Sequence, residues 1–289
     1  MPSGILIVNK PAGWTSQDVV AKLRGVFHEK RVGHGGTLDP MATGVLPVFL
    51  GRATRGVEFF EHAEKEYLTT LRLGTQTDTQ DVTGTVLRTQ EVRVTDAELE
   101  AVLARFRGEL EQLPPMYSAI RVGGKRLYEI ARKGGEVERQ PRRITVFELE
   151  LLGGEGTDRQ LRVRCSKGTY VRTLCADIGS ALGCGGCMAA LERTRAGAFS
   201  LAQAHTLEEI QAAEDKVSLL LPVDALFAGL PKLTVNERAE RKLRNGAAVP
   251  AGTVCSGAYR VYGADGAFLL LGRVADERLL TVKSFFEVP

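Results

Sequence analysis

The spacing of apolar and polar positions predicts how the chain begins. GILIVNK (4–10) and VLPVFL (45–50) are short continuous apolar runs, which are typical of buried strands. Between them, SQDVVAKLRGVF is typical of a helix that Ser16 caps. Its apolar positions share one helical face: Val19, Val20, Leu23 and Phe27. We therefore expect a strand, an amphipathic helix and a second strand.

The middle of the chain mixes helical and strand periods without a strict strand–helix–strand rhythm. Thr95 and Glu98 form a capping box that begins a helix, and residues 117–135 predict a hairpin that runs into a short helix. Further strands are predicted at EYLTTLRLG (66–74), ITVFELELL (144–152) and LRVRCSKGTYVRT (161–173), the last leading into a helix through TLCADIGSALG (173–183). This mixture favours an α+β fold with a mixed, largely antiparallel central sheet flanked by helices.

A boundary is predicted near Pro231. After it come a short helix, VNERAERKLRNG, and three strand-like runs separated by turn residues. We therefore expect two domains, residues 1–230 and a small β-rich module at 231–289. The pattern alone is compatible with an RNA-binding module and with a β-domain that has no ligand.

Composition excludes several classes of protein. With 44% hydrophobic and 25% charged residues, the chain resembles an ordinary globular protein. Its first residues contain an apolar run of about four positions with no basic region before it, which predicts neither a signal peptide nor a membrane span. We expect a cytoplasmic protein.

The cysteines do not indicate a disulfide framework. There are five, an odd number, in a long chain without a predicted signal peptide. Cys184 and Cys187 have the spacing of half a zinc site, but no second close pair supplies the remaining ligands. We predict reduced thiols and no metal.

The distribution of charge is more informative than its sum. The net charge of +3 is too small to indicate a polyanionic partner. Residues 121–143, however, carry eight Lys or Arg against three Glu, with Tyr117 and Tyr128 beside or within the run. Such a segment is typical of binding to a nucleic-acid backbone and stacking on its bases. A solvated protein surface has the same composition, so both interpretations stay open.

Residues 33–44, GHGGTLDPMATG, place one carboxylate, Asp39, in a loop of four glycines. Glycines make such a carboxylate approachable, although an Asp-Pro turn explains the same residues. The loop lacks the spacing of a phosphate-binding P-loop. An aspartyl-phosphate site needs further carboxylates for magnesium, and Asp78 and Asp81 could supply them only through folding.

The third chemistry for this loop is metal-free covalent catalysis, in which an ionised aspartate attacks carbon. It requires a cation that keeps the carboxylate charged and a surface that holds a planar substrate. Candidates for these roles are Arg172, Tyr67 and Tyr170.

Five blocks of sequence resemble the bacterial TruB family of tRNA pseudouridine synthases. They keep the family's order and approximate spacing from residue 4 to about residue 200: VNKPAGWTS, GHGGTLDPMATGVLPV, KEY, PPMYSAIRVGGKRLYEIAR and CSKGTYVRTL. The segment after residue 230 resembles the family's PUA-like RNA-binding domain. This resemblance implies the pseudouridine synthase fold.

The resemblance also implies an activity: isomerisation of the uridine at position 55, in the T loop of tRNA, to pseudouridine. Asp39 matches the catalytic carboxylate, and three routes stay open for it: addition to the base, addition to the ribose, and removal of a sugar proton. The isomerisation has no redox or phosphoryl-transfer step, so no cofactor is expected.

Five further residues match positions of the family's substrate site. Arg172 matches the arginine that pairs with the catalytic carboxylate, and Tyr67 the tyrosine that stacks on the uracil and assists proton removal. Tyr170 and Leu191 match residues that line the base pocket. His34 matches the histidine that packs beside the flipped nucleotide and offsets part of the cost of unstacking it.

For partners, the resemblance implies the T arm of tRNA, gripped by residues 115–143. The basic residues expected to contact RNA are Lys125, Arg126, Arg132 and Lys133. We expect a monomer that acts without a membrane, a guide RNA or a protein partner. The alternative is a non-catalytic protein that binds and refolds tRNA on the same scaffold. The joint presence of Asp39, Tyr67 and Arg172 favours the enzyme, because a binding protein does not need them together.

Overall fold

The computed structural model describes residues 2–118, 120–131 and 133–286, without the side chains of Lys125 and Arg126. Its helices are α1 (Ser16–Phe27), α2 (Val57–Phe60), α3 (Asp96–Leu103), α4 (Leu127–Ala131), α5 (Val171–Ala181), α6 (Leu207–Ala212) and α7 (Glu237–Arg244). The strands of the first 230 residues are β1 (Gly4–Lys10), β2 (Val32–His34), β3 (Thr43–Leu50), β4 (Lys65–Leu73), β5 (Thr75–Thr77), β6 (Val86–Thr89), β7 (Gly108–Gln112), β8 (Arg121–Val122), β9 (Lys125–Arg126), β10 (Arg142–Glu155), β11 (Asp158–Cys165), β12 (Gly186–Ala196) and β13 (Phe199–Ser200).

A nine-stranded sheet forms the centre of this region. Seven strands follow the order β1-β3-β12-β4-β11-β10-β7, while β2 pairs with β3 and β13 with β12. The pairs are antiparallel except for β12 with β3, which is parallel. The predicted mixed, largely antiparallel sheet is confirmed.

The start of the chain folds as its apolar pattern predicts. The strand β1 is buried at nearly every position and pairs along its length with β3. The helix α1 buries its four predicted apolar positions, but its cap is Thr15 rather than Ser16. Thr15 accepts a hydrogen bond from the Asp18 backbone, and the Asp18 side chain accepts one from the Thr15 backbone. Ser16 is instead buried, and its hydroxyl accepts a hydrogen bond from the Leu38 backbone, in the loop that contains Asp39.

Helices cover the sheet and enclose its main core. Apolar side chains of α1, α3, α5 and α6 pack against β3, β4, β11 and β12 in one cluster. A second cluster lies around Ile5, Ile7, Val45 and Phe49, where aromatic side chains from α2 and β13 cover β1 and β3. The sheet is therefore fixed by burial on both sides of its β1–β3 edge.

The strand β12 was not predicted from the sequence. It is inserted between β3 and β4, and it contacts both of them. Its sequence, GCMAALERTRA, has a charged residue, Arg193, at a fully buried position, and its pairing with β4 shifts register twice. Both features disrupt the alternation by which strands are recognised.

The last 56 described residues form a separate five-stranded sheet. It contains β14 (Lys232–Thr234), β15 (Val249–Pro250), β16 (Gly257–Tyr262), β17 (Phe268–Ala275) and β18 (Arg278–Ser284), in the order β14-β16-β17-β18-β15. The predicted short helix and three strands are confirmed, and β14 and β15 are additional. An aromatic cluster joins this sheet to the rest of the molecule: Phe59 and Phe227 contact each other at 5.4 Å between ring centroids, and Phe227 contacts Phe285 at 6.0 Å.

Two further features bear on the expectations from composition. No helix in the described part of the chain has the length and apolar character needed to cross a membrane. The five cysteines are free; Cys255 is exposed and the other four are buried.

Candidate active site

Asp39 lies in the loop between β2 and β3, and the start of the chain holds that loop from two directions. The Ser16 hydroxyl accepts a hydrogen bond from the Leu38 backbone at 2.8 Å. The fully buried Lys10 ammonium donates to the carbonyls of Trp14 at 2.6 Å and Pro40 at 3.2 Å. The backbone on either side of Asp39 is therefore fixed, while its own side chain is 35% exposed.

The guanidinium of Arg172 faces the Asp39 carboxylate. Arg172 lies in the first turn of α5 and is buried. Its Nη2 donates to Asp39 Oδ1 at 3.3 Å, and its Nε lies 2.9 Å from Asp39 Oδ2. A fork of this kind stabilises the ionised carboxylate and sets its orientation.

Two backbone carbonyls and a second carboxylate hold Arg172 in turn. It donates to the carbonyls of Tyr117 at 2.7 Å and Thr79 at 3.1 Å. Its Nη1 also lies 3.7 Å from Oδ2 of the buried Asp81. Asp81 thus reaches the site through folding, and the cation between the two carboxylates is a guanidinium.

Asp81 is itself held by its own loop. Its Oδ1 accepts hydrogen bonds from the Thr79 hydroxyl at 2.8 Å, and from the Thr83 backbone at 2.9 Å and hydroxyl at 2.5 Å. No cluster of three potential metal-ligating side chains occurs among residues 2–118, 120–131 and 133–286.

Burial raises the pKa of the Asp39 carboxyl above its ordinary value of 3.8. The positive charge of Arg172 opposes this rise, and the negative charge of Asp81 adds to it. Any reaction that needs ionised Asp39 is therefore lost as the pH falls through this raised pKa.

The two predicted tyrosines lie in different settings around the carboxylate. Tyr67 is buried on β4, and burial raises the pKa of its phenol to about 12, so the phenol is protonated at neutral pH. Tyr170 is half-buried immediately before α5, and burial also raises its pKa. The charge of Asp39 contributes to both shifts, which places the three groups in one electrostatic environment.

Leu191 and His34 complete the set of predicted substrate contacts. Leu191 is buried on β12, beside β4, in the cluster that includes Tyr67. His34 ends β2, five positions before Asp39, and its buried Nδ1 has no hydrogen-bond partner in the described part of the structure. Burial, and secondarily the charge of Arg193, lowers the pKa of His34, so its ring is neutral at neutral pH.

The basic segment is described only in part. The strands β8 and β9 form the predicted hairpin, and α4 follows it. Arg121 and Lys133 are exposed. The predicted RNA contacts Lys125 and Arg126, as regards their side chains, and Arg132 lie outside the described residues.

Sequence reasoning missed two buried cations of the site, Lys10 and Arg193. Both donate to backbone carbonyls around the Asp39 loop, including that of Pro40 from Lys10 and that of Gly36 from Arg193. The sequence signal that could have identified them was a charged residue within an otherwise apolar, buried strand. For Lys10 that strand was recognised, and the residue stands at its last position.

Comparisons with known proteins agree over most of the chain. Residues 24–171 match the model of the TruB family pseudouridylate synthase N-terminal domain, and residues 172–228 match that of the tRNA pseudouridylate synthase B C-terminal domain. The tRNA pseudouridine synthase B of Aromatoleum aromaticum is 46% identical over 97% of this chain and 91% of its own length. That of Clostridium kluyveri is 42% identical over 98% and 99%.

Solved structures give the same relationship at greater distance. A chain in the crystal structure of a Cbf5-Nop10-Gar1 complex superimposes with a TM-score of 0.73 at 29% identity, over 98% of this chain and 85% of that chain. A chain of an H/ACA RNP bound to a substrate RNA containing 2'-deoxyuridine gives 0.73 at 26%, with the same coverage.

Proposed function

Because the chain belongs to the TruB family of pseudouridylate synthases, we propose that its target is the uridine at position 55, in the T loop of tRNA. The protein is an isomerase that converts uridine in tRNA into pseudouridine. The family and the fold predicted from the sequence are confirmed. The observation that carries the assignment of the site is the Asp39 carboxylate oriented by Arg172.

The reaction rearranges one nucleotide without net gain or loss of atoms. The bond from ribose C1′ to uracil N1 breaks, the uracil turns, and a bond from C1′ to C5 forms. A proton leaves C5 and N1 gains one. Ionised Asp39 serves as the catalytic group, by addition to the base, by addition to the ribose or by removal of a sugar proton. Each route needs the charged carboxylate, which the Arg172 fork stabilises.

The remaining side chains hold the nucleotide that the reaction needs. A base can reach Asp39 only after leaving its stack, at a cost of a few kcal/mol. The neutral His34 ring is suited to stacking beside the flipped nucleotide. Tyr67 stacks on the uracil and, because its phenol is protonated at neutral pH, assists proton removal from C5 as a relay that passes on its own proton rather than as a free base. Tyr170 and Leu191 line the base pocket.

We assign catalysis to residues 1–230 and RNA binding to residues 231–289. The balance of charge supports this division: the first region has 29 basic and 29 acidic residues, whereas the second has nine and six. The whole positive excess of the chain therefore lies in the second region, where it favours contact with phosphates. Residues 115–143 grip the T arm, and the protein acts as a monomer without a guide RNA.

Release of tritium from tRNA labelled at uridine C5 tests this function. We expect single-turnover release by the wild type and none by Asp39→Asn, because the amide cannot replace an ionised carboxylate. The dissociation constant for tRNA should stay within about threefold, since binding is spread over many phosphate contacts.

Two results would contradict the assignment. Release by Asp39→Asn at a near-normal rate would exclude Asp39 as the catalytic group. Tight tRNA binding by a wild-type protein that releases no tritium would favour the non-catalytic binding protein instead. A tRNA with another base at position 55 serves as the substrate control.

A further inference from the structure

Arg193 is a buried charged residue whose surroundings are unusual. It lies within β12 at 1% exposure and is among the largest fully buried side chains of the described residues. Buried arginines are normally paired with carboxylates. Arg193 has no described carboxylate oxygen within 4.0 Å, so its charge is compensated in another way.

Backbone carbonyls around the Asp39 loop take the place of that carboxylate. Nε donates to the Val45 carbonyl at 2.7 Å, and Nη2 donates to the Gly36 carbonyl at 3.1 Å. Nη1 lies at 3.5 Å from the Thr37 carbonyl. Gly36 and Thr37 stand between His34 and Asp39, and Val45 follows the loop in β3. One guanidinium therefore joins the middle of the loop to the strand after it.

The loop is shaped to admit this side chain and its strand. Gly36 has φ +125°, and a Cβ on it would point to within 3.6 Å of Arg193 Nη1. Gly44 has φ +97°, and a Cβ on it would lie 2.3 Å from the Arg193 carbonyl oxygen, closer than atoms can approach. These two glycines of GHGGTLDPMATG thus both provide a backbone conformation that other residues rarely adopt, and Gly44 also provides the space for β12 to pack against the loop.

Tyr67 lies on the other side of the same residue. It is the register partner of Arg193 between β4 and β12. Burial raises the pKa of Tyr67, and the charge of Arg193 is the largest influence that opposes this rise. Arg193 therefore interacts with a substrate-contacting side chain as well as with the loop that carries the catalytic carboxylate.

We infer that Arg193 is a positioning residue for the isomerisation. It fixes the backbone between His34 and Asp39 relative to Tyr67, so that Asp39 and Tyr67 both reach the flipped nucleotide. This inference rests on the proposed function. Arg193 itself touches no reacting atom. Its effect comes from geometry, since small displacements of a catalytic group can reduce a rate about 100-fold.

Arg193→Lys, Arg193→Met and the control Arg195→Met test this inference. Arg195 stands two positions along the same strand but is partly exposed and pairs with Glu66 at 3.5 Å. The measurements are the single-turnover rate of tritium release at saturating tRNA, the dissociation constant for tRNA, and amide hydrogen exchange of residues 36–39.

We expect the rate to fall about 10-fold in Arg193→Lys and about 100-fold in Arg193→Met, with the dissociation constant within about twofold. Lysine should retain part of the rate because it keeps the charge and some of the donors. Exchange of the loop amides should become faster in both variants. Arg195→Met should resemble the wild type in all three measurements.

An unchanged rate in Arg193→Lys, with only a lower melting temperature, would reduce Arg193 to a structural residue and overturn the inference. So would rates and loop exchange that match those of Arg195→Met. If Arg193→Met does not fold, Arg193→Lys decides the question. A wild type that releases no tritium would instead contradict the proposed function.

Discussion

At the scale of single residues, Arg172 connects the parts of the site. Its guanidinium contacts Asp39 and Asp81 and is anchored by the carbonyls of Thr79 and Tyr117. The sequence indicated Asp39 and Arg172 through their motifs, but it could only name Asp81 as an acid in another loop. That difference has a physical cause. The loops that carry Asp39 and Asp81 are brought together by the folding of the sheet, and no local sequence pattern indicates such a contact.

Replacing Asp81 by asparagine should shift the pH dependence of the reaction. Asp81 raises the pKa of Asp39, so its neutral replacement lowers that pKa. The acid limb of the single-turnover rate, where Asp39 becomes protonated, should move to lower pH. The maximal rate should fall about 10-fold, because Arg172 loses one of its anchors. The measurement is the rate of tritium release as a function of pH.

Asp78→Asn is the matched control for this prediction. Asp78 lies in the same loop but is exposed, and its carboxylate accepts a hydrogen bond from the Thr85 backbone at 2.7 Å. The acid limb of the Asp78→Asn rate profile should coincide with that of the wild type. An acid limb of Asp81→Asn at or above the wild-type pH would mean that Asp81 does not act on Asp39.

At the scale of elements, a buried side chain of β7, Gln112, links that strand to the residue before α5. The Gln112 amide at the end of β7 donates to the Tyr170 carbonyl at 3.1 Å and accepts from the Tyr170 backbone N–H at 2.8 Å. This pair of hydrogen bonds resembles one rung of a β-sheet ladder, except that it joins a strand to the residue before a helix. Because Tyr170 is followed by α5, whose second residue is Arg172, this rung also holds the start of the helix that carries the arginine of the site.

Gln112→Leu should therefore weaken both the fold and the reaction. It leaves the Tyr170 N–H without a partner and removes one of two donors to the Tyr170 carbonyl, which still accepts from the Leu174 backbone. The unpaired N–H costs about 2 kcal/mol in the free energy of unfolding. We expect the rate of tritium release to fall about 10-fold at temperatures where the variant is folded. Urea unfolding and single-turnover kinetics measure the two effects.

Gln140→Leu provides the comparison, because Gln140 is exposed and makes only a 3.4 Å contact with Glu138. Its unfolding free energy should stay within about 0.5 kcal/mol of the wild type. Equal stability and equal rates for the two variants would show that the Gln112 rung contributes nothing.

Most elements with a clear period were predicted, and the exceptions have identifiable causes. The strands β1, β3 and β4 and the helix α1 have apolar faces that their own sequences define. The strand β12 does not, because the carbonyls that bind the buried Arg193 come from distant parts of the chain, Val45 in β3 and Gly36 in the loop before it. Local pattern therefore predicts strands such as β1, whose buried charge stands at one end of an apolar run, and misses β12, whose buried charge interrupts the run.

At the scale of the whole molecule, the exposed surface of α7 carries a cluster of positively charged side chains. Arg238, Arg241 and Lys242 are exposed on this helix at spacings that place them on one face. Replacing the three by glutamine should weaken tRNA binding about 10-fold at low salt and reduce the slope of log affinity against log salt by up to about three. The rate at saturating tRNA should be unchanged.

Charge reversal at Lys125, Arg126 and Arg132 provides a second comparison for the same measurement. We expect weaker binding and a flatter salt dependence from this set as well. An unchanged slope in either set would identify that basic surface as a solvated face. Loss of the saturated rate in the α7 variant would mean that the small sheet does more than bind.

The insertion of β12 between β3 and β4 also imposes an order in time. Val45 and Arg193, which bond across this insertion, are 148 positions apart in the chain. At synthesis rates of about 5 to 20 residues per second, the loop with Asp39 leaves the ribosome roughly 7 to 30 s before the strand that completes its support. During that interval β3 and β4 expose unpaired edges, which are surfaces prone to association with other chains. The loop with Asp39 is thus among the first parts of the protein to be made, while the Arg193 contacts that complete its support become possible only after β12 has been made.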